Sequence, residues 1–335
     1  MDLLTQGLLG AALAQAGSKQ QETRIATGVG FFAGLLADAD ILIQSDQDPL
    51  LTVEFHRHFT HSIFFVPFGA LIAALMLWFF LRHKLAFLRL YFYCLLGYSL
   101  SGVLDGLTSY GTHLFWPLSQ ERIALNLISV IDPVFTLILL VGVIVAFRKK
   151  AEIFARVSLL LVGLYLCVGW VQLQRAENMA ISLAATRGHA IETSIVKPTL
   201  ANLILWRSIY ETNGRFYVDA IRVGFFSEPK VYEGGVIEKF IPGVHMPGLP
   251  DRSVLAEDIE RFTHFSAGYI GIQPERPNLL IDVRYSNLPT STDPLWAIEI
   301  DSHRPDQHAQ YKLFRDASHE IRQKFLAFLL GEHLN

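Results

Sequence analysis

Asp38-Ala-Asp40 closes an apolar run, and two carboxylates held that close repel one another unless a proton or a cation intervenes. A divalent cation resolves the repulsion, because carboxylate oxygens are natural ligands for hard metals. A second group follows in HRHFTHS, where His56, Arg57, His58, Thr60 and His61 crowd the residues immediately before Ser62 and the uncharged run Ser62–Leu81. Imidazole nitrogen suits Zn²⁺ and related metals, while a neighbouring Thr or Arg can orient a ligand or bind an oxyanion. Of the three histidines, His58 is the one expected outside the ligand set. Asp105 ends a further apolar run and is trailed by Thr108, Tyr110, Thr112 and His113; Asp132-Pro133 opens another. Asp132 also reads as a helix N-cap with proline in the first turn, a role compatible with ligation. Carboxylates and imidazoles converging from the ends of separate helices are how helical bundles assemble metal sites.

The elements that must position these groups are membrane helices. Apolar residues make up 51% of the 335 and charged residues 18%, well below the quarter or so usual in a soluble domain. Ser62–Leu81 is uncharged and long enough to cross a bilayer core of about 30 Å. Val157–Leu173 is a second strong span, Leu90–Leu104 and Pro133–Phe147 are shorter, Ile25–Ile43 is apolar up to Asp38, and Leu3–Ala16 is rich in small residues suited to close helix packing. The N-terminus lacks a basic segment before its apolar run and reads as a retained helix rather than a signal peptide. About five to six helices result, in a mainly α-helical membrane domain over residues 1–174.

Basic residues orient that domain. Arg82, Lys84 and Arg89 share one connection and Arg148, Lys149, Lys150 and Arg156 another, so both are expected on the cytoplasmic side. Alternation then places Gln6, residues 38–61 and residues 105–132 together on the outer side, and sends the chain outward at about Leu173.

Residues 175–335 read as a soluble, extracytoplasmic α+β domain. Strands are expected at Glu192–Val196, Asn202–Tyr210, Asn278–Tyr285 and Leu295–Ile300, and helices at Leu255–Phe265 and Asp316–Leu330. Thr212-Asn213-Gly214 before the alternating RFYVDAIRVGFF is hairpin chemistry. His245, His264, His303 and His308, with Asp301 and Asp306, are read as surface polar residues.

Taken together, MDLLTQGLLGAA, LLADADIL, HRHFTHS and LDGLTSYGTHLFWPLSQERIALNLISVIDPVFT resemble the YdjM-like family of LexA-regulated inner-membrane proteins, regarded as membrane-bound metal-dependent hydrolases; the resemblance covers roughly residues 1–175. It implies a bacterial inner-membrane location and a divalent metal, Zn²⁺ first with Mn²⁺ or Mg²⁺ as alternatives. Asp38, Asp40, His56, His61, Asp105 and Asp132 then fall at metal or catalytic positions, with Asp38, His56, Arg57 and His61 expected to carry the chemistry. Gln6, Thr60, Ser62, Thr108, His113 and Arg122 would support them. Where His113 stands, the family commonly carries Gln.

The reading that follows is a hydrolase at the outer membrane interface, acting on a small molecule or a lipid or cell-envelope ester or phosphoester. An ion-binding or transport protein, and a non-catalytic anchor presenting the C-terminal domain to a partner, remain open alternatives. A net charge of −3 and the lack of a basic, aromatic-interleaved patch argue against a nucleic-acid partner. No GxSxG elbow, phosphate-binding glycine loop or CxxC pair occurs, and Cys94 and Cys167 both lie in apolar runs.

Overall fold

A computed structural model of the chain describes residues 1–314 and 318–332. It divides into two compact units. The first comprises Met1–Ile43, Phe55–Val171 and Leu200–Asn202; the second comprises Gln44–Glu54, Gln172–Thr199 and the chain from Leu203 onward. The expected boundary near residue 174 thus falls at Val171/Gln172, and the unexpected feature is that residues 44–54 fold with the second unit.

The first unit is helical. Its elements are α1 (Leu3–Ala16), α2 (Thr23–Leu36) continued by a 3-10 segment Ala37–Leu42, the short α3 (Leu51–Phe55) at the unit boundary, α4 (Val66–Leu81), α5 (Phe87–Ser99), α6 (Ser101–Leu107), α7 (Pro133–Lys149) and the long α8 (Ile153–Thr186), which continues into the second unit. Thr23–Leu42, Phe87–Leu107 and Ile153–Thr186 are long and apolar enough to cross a membrane, and a fourth span arises if Leu51–His61 and Val66–Leu81 are taken as one bent pair. The expected unbroken span Ser62–Leu81 is helical only from Val66. The chain turns by 89° before it, where the Ser62 hydroxyl engages the Trp116 carbonyl and accepts from the Phe64 amide.

Close backbone approach holds the bundle. A Cβ on Gly10 would sit 2.3 Å from the Gly30 carbonyl oxygen, so only glycine lets α1 and α2 meet there. Ala26, Ala33, Ala70, Ala73, Ala74, Tyr93 and Cys94 fill the core around that contact. Leu75, Phe79, Phe80, Leu137 and Leu160 are exposed, the outward apolar surface that lipid rather than water would cover. Cys94 is buried, whereas Cys167 is exposed on α8.

The second unit is an eight-stranded antiparallel meander in sequential order. Its strands are β1 (Thr193–Pro198), β2 (Leu205–Thr212), β3 (Arg215–Arg222), β4 (Lys230–Lys239), β5 (Ile270–Gln273), β6 (Arg276–Asp282), β7 (Trp296–Glu299) and β8 (Gln310–Leu313). Helices α9 (Pro242–His245) and α10 (Val254–Phe265) separate β4 from β5, and α11 (His319–Leu330) follows β8. The β2–β3 hairpin forms as its sequence demands: Asn213 and Gly214 both take positive φ, 52° and 69°, and Thr212 pairs with Arg215. One face of the sheet packs Ile209, Phe216, Val218, Ile237, Ile281 and Ala297; on the other, Leu205 and Ala220 meet Phe328 of α11. Strands β4, β5 and β8 were not anticipated. The expected helix start at Asp316 lies outside the described residues.

Residues 44–54 join this unit through charge. The Arg261 guanidinium of α10 donates to both Asp48 oxygens at 3.1 and 2.8 Å and to both Glu54 oxygens at 2.6 and 2.8 Å. Asp258 and His308 complete the cluster, with His308 Nδ1 3.0 Å from a buried Asp258 oxygen. His308 is exposed, as expected of a surface residue, and is paired with Asp258, and the carboxylates here already have a cation.

Candidate metal centre

Three elements of the first unit deliver polar side chains to one place. The 3-10 segment after α2 carries Asp38 and Asp40, because the helix tightens where two carboxylates end its apolar face. The turn Phe59–His61 carries Thr60 and His61, and the C-terminal turn of α6 carries Asp105. The α6 helix can approach His61 only because residue 102 is glycine: a Cβ there would fall 1.8 Å from the His61 carbonyl oxygen.

At the centre, His61 Nε2 lies 3.0 Å from Asp105 Oδ2 and 3.4 Å from Asp38 Oδ1. One ligand atom from each of Asp38, His61 and Asp105 falls within 4.8 Å of the others, and all three residues are buried. His61 Nε2, Asp38 Oδ2 and Asp105 Oδ2 are enclosed and have no hydrogen-bond partner. Buried polar atoms are seldom left so, and two carboxylates and an imidazole that bring one ligand atom each within 4.8 Å of the others fit a cation.

Asp40 takes a different position. Its Oδ2 lies 3.3 Å from His61 Nδ1, accepts from Thr60 Oγ1 at 2.8 Å and from the Arg57 amide at 2.7 Å. Thr60 Oγ1 is also 3.1 Å from His61 Nδ1. Asp40 and Thr60 therefore hold the rear nitrogen of the ring whose front nitrogen faces Asp38 and Asp105, the support that metal-binding histidines usually have. His56, its side chain about a quarter exposed, places Nδ1 3.5 Å from Asp40 Oδ1.

Arg57 is the strained residue of the site. Its φ of 59° is left-handed, and the surrounding structure fixes it from both sides: the amide donates to Asp40, and the carbonyl accepts from Thr112 Oγ1 at 2.9 Å and the His113 amide at 3.2 Å. Its buried guanidinium donates to the Met1 carbonyl at 2.9 Å and brings Nη1 to 3.3 Å from Asp105 Oδ1, which the Met1 amino group also contacts. Its Nε has no hydrogen-bond partner. Arg57 and Arg122 share the Tyr110 ring, at 5.2 and 5.0 Å.

The remaining expected residues separate into supports and bystanders. Thr108 Oγ1 donates to the Asp105 carbonyl at 2.8 Å and ends α6. Arg122 donates to the His56 and Gly111 carbonyls at 3.1 and 3.3 Å, tying the HRHFTHS turn to the loop after α6. Ser62 anchors the corner before α4, and Gln6 Nε2 reaches the Ser101 carbonyl at 3.3 Å while its Oε1 stays unpaired. His113 packs on His58 with ring centroids 4.6 Å apart, and neither joins the ligand group.

Asp132 stands apart from that group. It is not one of the grouped ligands; its Oδ1 caps α7 by accepting the Val134 and Phe135 amides at 3.1 and 3.0 Å, and Tyr165 donates to Oδ2 at 2.9 Å. With both oxygens so engaged, the helix-cap reading accounts for it. Residues that sequence reasoning passed over are Tyr98, which donates to the Thr60 carbonyl at 2.8 Å, and Tyr165. Each is an aromatic residue in an apolar run, and nothing in the local sequence marks its hydroxyl as engaged.

Fold and site together define a helical membrane protein with a buried Asp/His centre at one end of its bundle. Residues 1–176 match the family described as YdjM inner membrane protein, and the chain belongs to that family. It is also 31% identical over 165 residues to the uncharacterized protein YfhP of Bacillus subtilis (strain 168), an alignment covering 49% of each chain, so the match spans about half the length of that relative. No solved structure matches.

Proposed function

We propose that the chain is a membrane-bound, metal-dependent hydrolase whose ion is held by Asp38, His61 and Asp105. The observation that carries this reading is the buried group of three ligand-type side chains, each with an enclosed polar atom that lacks a hydrogen-bond partner. Three protein ligands are what a catalytic rather than a structural ion requires, since a position must stay open for water or substrate. A divalent ion so held supplies Lewis acidity and lowers the pKa of a bound water.

The chain's own groups account for the rest. Asp40 and Thr60 fix the His61 ring and keep the proton on Nδ1, leaving Nε2 as the donor atom. His56, partly exposed and backed by Asp40, is placed to accept a proton from an attacking water. Arg57, a guanidinium with Nε free of protein acceptors, suits an oxyanion of the substrate. Asp38 and Asp105 end helices whose other ends lead to the basic connections at 82–89 and 148–156 or pack beside those that do. This supports an outward-facing interfacial site and, with it, a lipid or cell-envelope ester or phosphoester as substrate.

The test is hydrolysis by the full-length protein in detergent. Phospholipids, lipid-linked phosphoesters and a chromogenic phosphodiester should include a substrate cleaved by wild type, lost with chelator and lost in His61→Ala. Full activity in His61→Ala would contradict the reading; metal retention without turnover of any ester would favour ion binding instead.

A further inference from the structure

The loop joining β3 to β4 carries Phe225 and Phe226, and both are bare in the structure: Phe226 is fully exposed at 105% and Phe225 at 49%. Two adjacent phenylalanines in water forfeit the burial that drives such side chains out of solvent, and exposed apolar groups of this kind mark surfaces that meet something apolar.

What they meet follows from the start of the loop. Gln172 Nε2 donates to the Val223 carbonyl at 2.7 Å and to the Leu203 carbonyl at 3.0 Å, while Arg175 donates to Gln172 Oε1 at 2.6 Å. Gln172 sits on α8 at the end of its apolar run. Val168, Trp170 and Val171 just before it are exposed, and Arg175 is the first charge after Arg156. The uncharged stretch between those arginines is about 27 Å long at 1.5 Å per residue, which matches a bilayer core. Val223 is thus hydrogen-bonded to the helix turn where the span ends, and an exposed Trp at that turn is the usual marker of the interface.

We propose that Phe225 and Phe226 insert into the bilayer interface, so that the β3–β4 loop is a lipid anchor of the sheet unit. The anchor does not depend on the hydrolase reading.

Its test uses full-length protein in nanodiscs of zwitterionic and anionic phospholipid, with Cys94 and Cys167 replaced by Ser and a spin label at Phe226→Cys or Asn213→Cys. Asn213 lies in the turn at the opposite end of β3 and is exposed. The label at 226 should collide more with oxygen than with a water-soluble nickel complex, and the label at 213 the reverse. Nickel access at 226 equal to that at 213 would overturn the proposal, as would shielding of 226 from both reagents, which would mean a protein contact. With the unsubstituted protein, a photoactivatable phospholipid should leave adducts on the Gly224–Lys230 segment; their absence there, with adducts on α4, would overturn it equally.

Discussion

Asp40 Oδ2 stands 3.3 Å from His61 Nδ1, on the side of the imidazole away from Asp38 and Asp105. The two aspartates of one Asp-Ala-Asp motif therefore do different work. Asp38 faces the ligand group, and Asp40 stands behind the histidine that completes it. A carboxylate behind a metal-bound histidine fixes its tautomer and raises its basicity.

Asp40→Asn should accordingly keep the metal but hold it less well. Removing such a partner usually costs about 10–100-fold in affinity or activity. Titration with a competing chelator measures the shift; an unchanged affinity would mean that Asp40 has no part in presenting His61.

Arg57 gives a prediction that separates backbone from side chain. Its left-handed φ costs an L-residue roughly 1–2 kcal/mol, and glycine does not bear that cost. Both Arg57→Ala and Arg57→Gly should lose hydrolysis, because both remove the guanidinium. Thermal unfolding should nevertheless find the Gly variant the more stable of the two. Equal stability would show that the strain is relieved elsewhere.

Asp132 should behave as a cap. Asp132→Ala removes the acceptor for two α7 amides and the Tyr165 hydroxyl, a loss of about 1 kcal/mol for the cap alone. Melting temperature should fall while metal content stays at the wild-type level. Loss of the metal with the fold intact would restore Asp132 to the ligand set.

In the sheet unit, Lys197 is buried on β1 with its ammonium 4.6 Å from the Tyr285 ring. Burial, reinforced by the Arg284 charge and opposed by Asp282, pushes its pKa well below the usual value. A base whose folded pKa is depressed binds fewer protons folded than unfolded. Its penalty is greatest below the folded pKa and fades as pH rises toward the unfolded value near 10.4. Lys197→Met should therefore stabilise the protein, with the largest gain at low pH and a shrinking gain toward pH 10. Denaturant titrations across that range would check it; a gain that grows with pH would contradict it.

Much of this was legible in the sequence, for reasons that differ between the units. Asp38, His56, His61 and Asp105 stand out because charge and imidazole at the ends of apolar runs are costly without a partner, and the structure brings these helix ends together. The role split between Asp38 and Asp40 was not legible, since it depends on which side of the His61 ring each meets. Asp132 was ambiguous because Asp-Pro serves a cap as well as a ligand, and the deciding residue, Tyr165, lies on a different helix. The Asn213-Gly214 turn announced its hairpin. Strands β5 and β8 are four residues each, as is β7, but only β7 lies within a longer, mostly apolar run, Leu295–Ile300, that reads as a strand. The attachment of residues 44–54 to the second unit rests on Arg261, some two hundred positions away in the chain, and no local pattern reports such a pairing.

Asp38, His61 and Asp105 together should hold a divalent ion. Elemental analysis of full-length protein purified in detergent tests it most directly, comparing wild type with Asp38→Asn, His61→Ala, Asp105→Ala and, as control, Asp132→Ala. Wild type and Asp132→Ala should carry about one ion per chain, as a single catalytic site requires, and the other three should lose it. Full metal content in His61→Ala and Asp105→Ala, or none in wild type after exposure to Zn²⁺, Mn²⁺ and Mg²⁺, would contradict the claim.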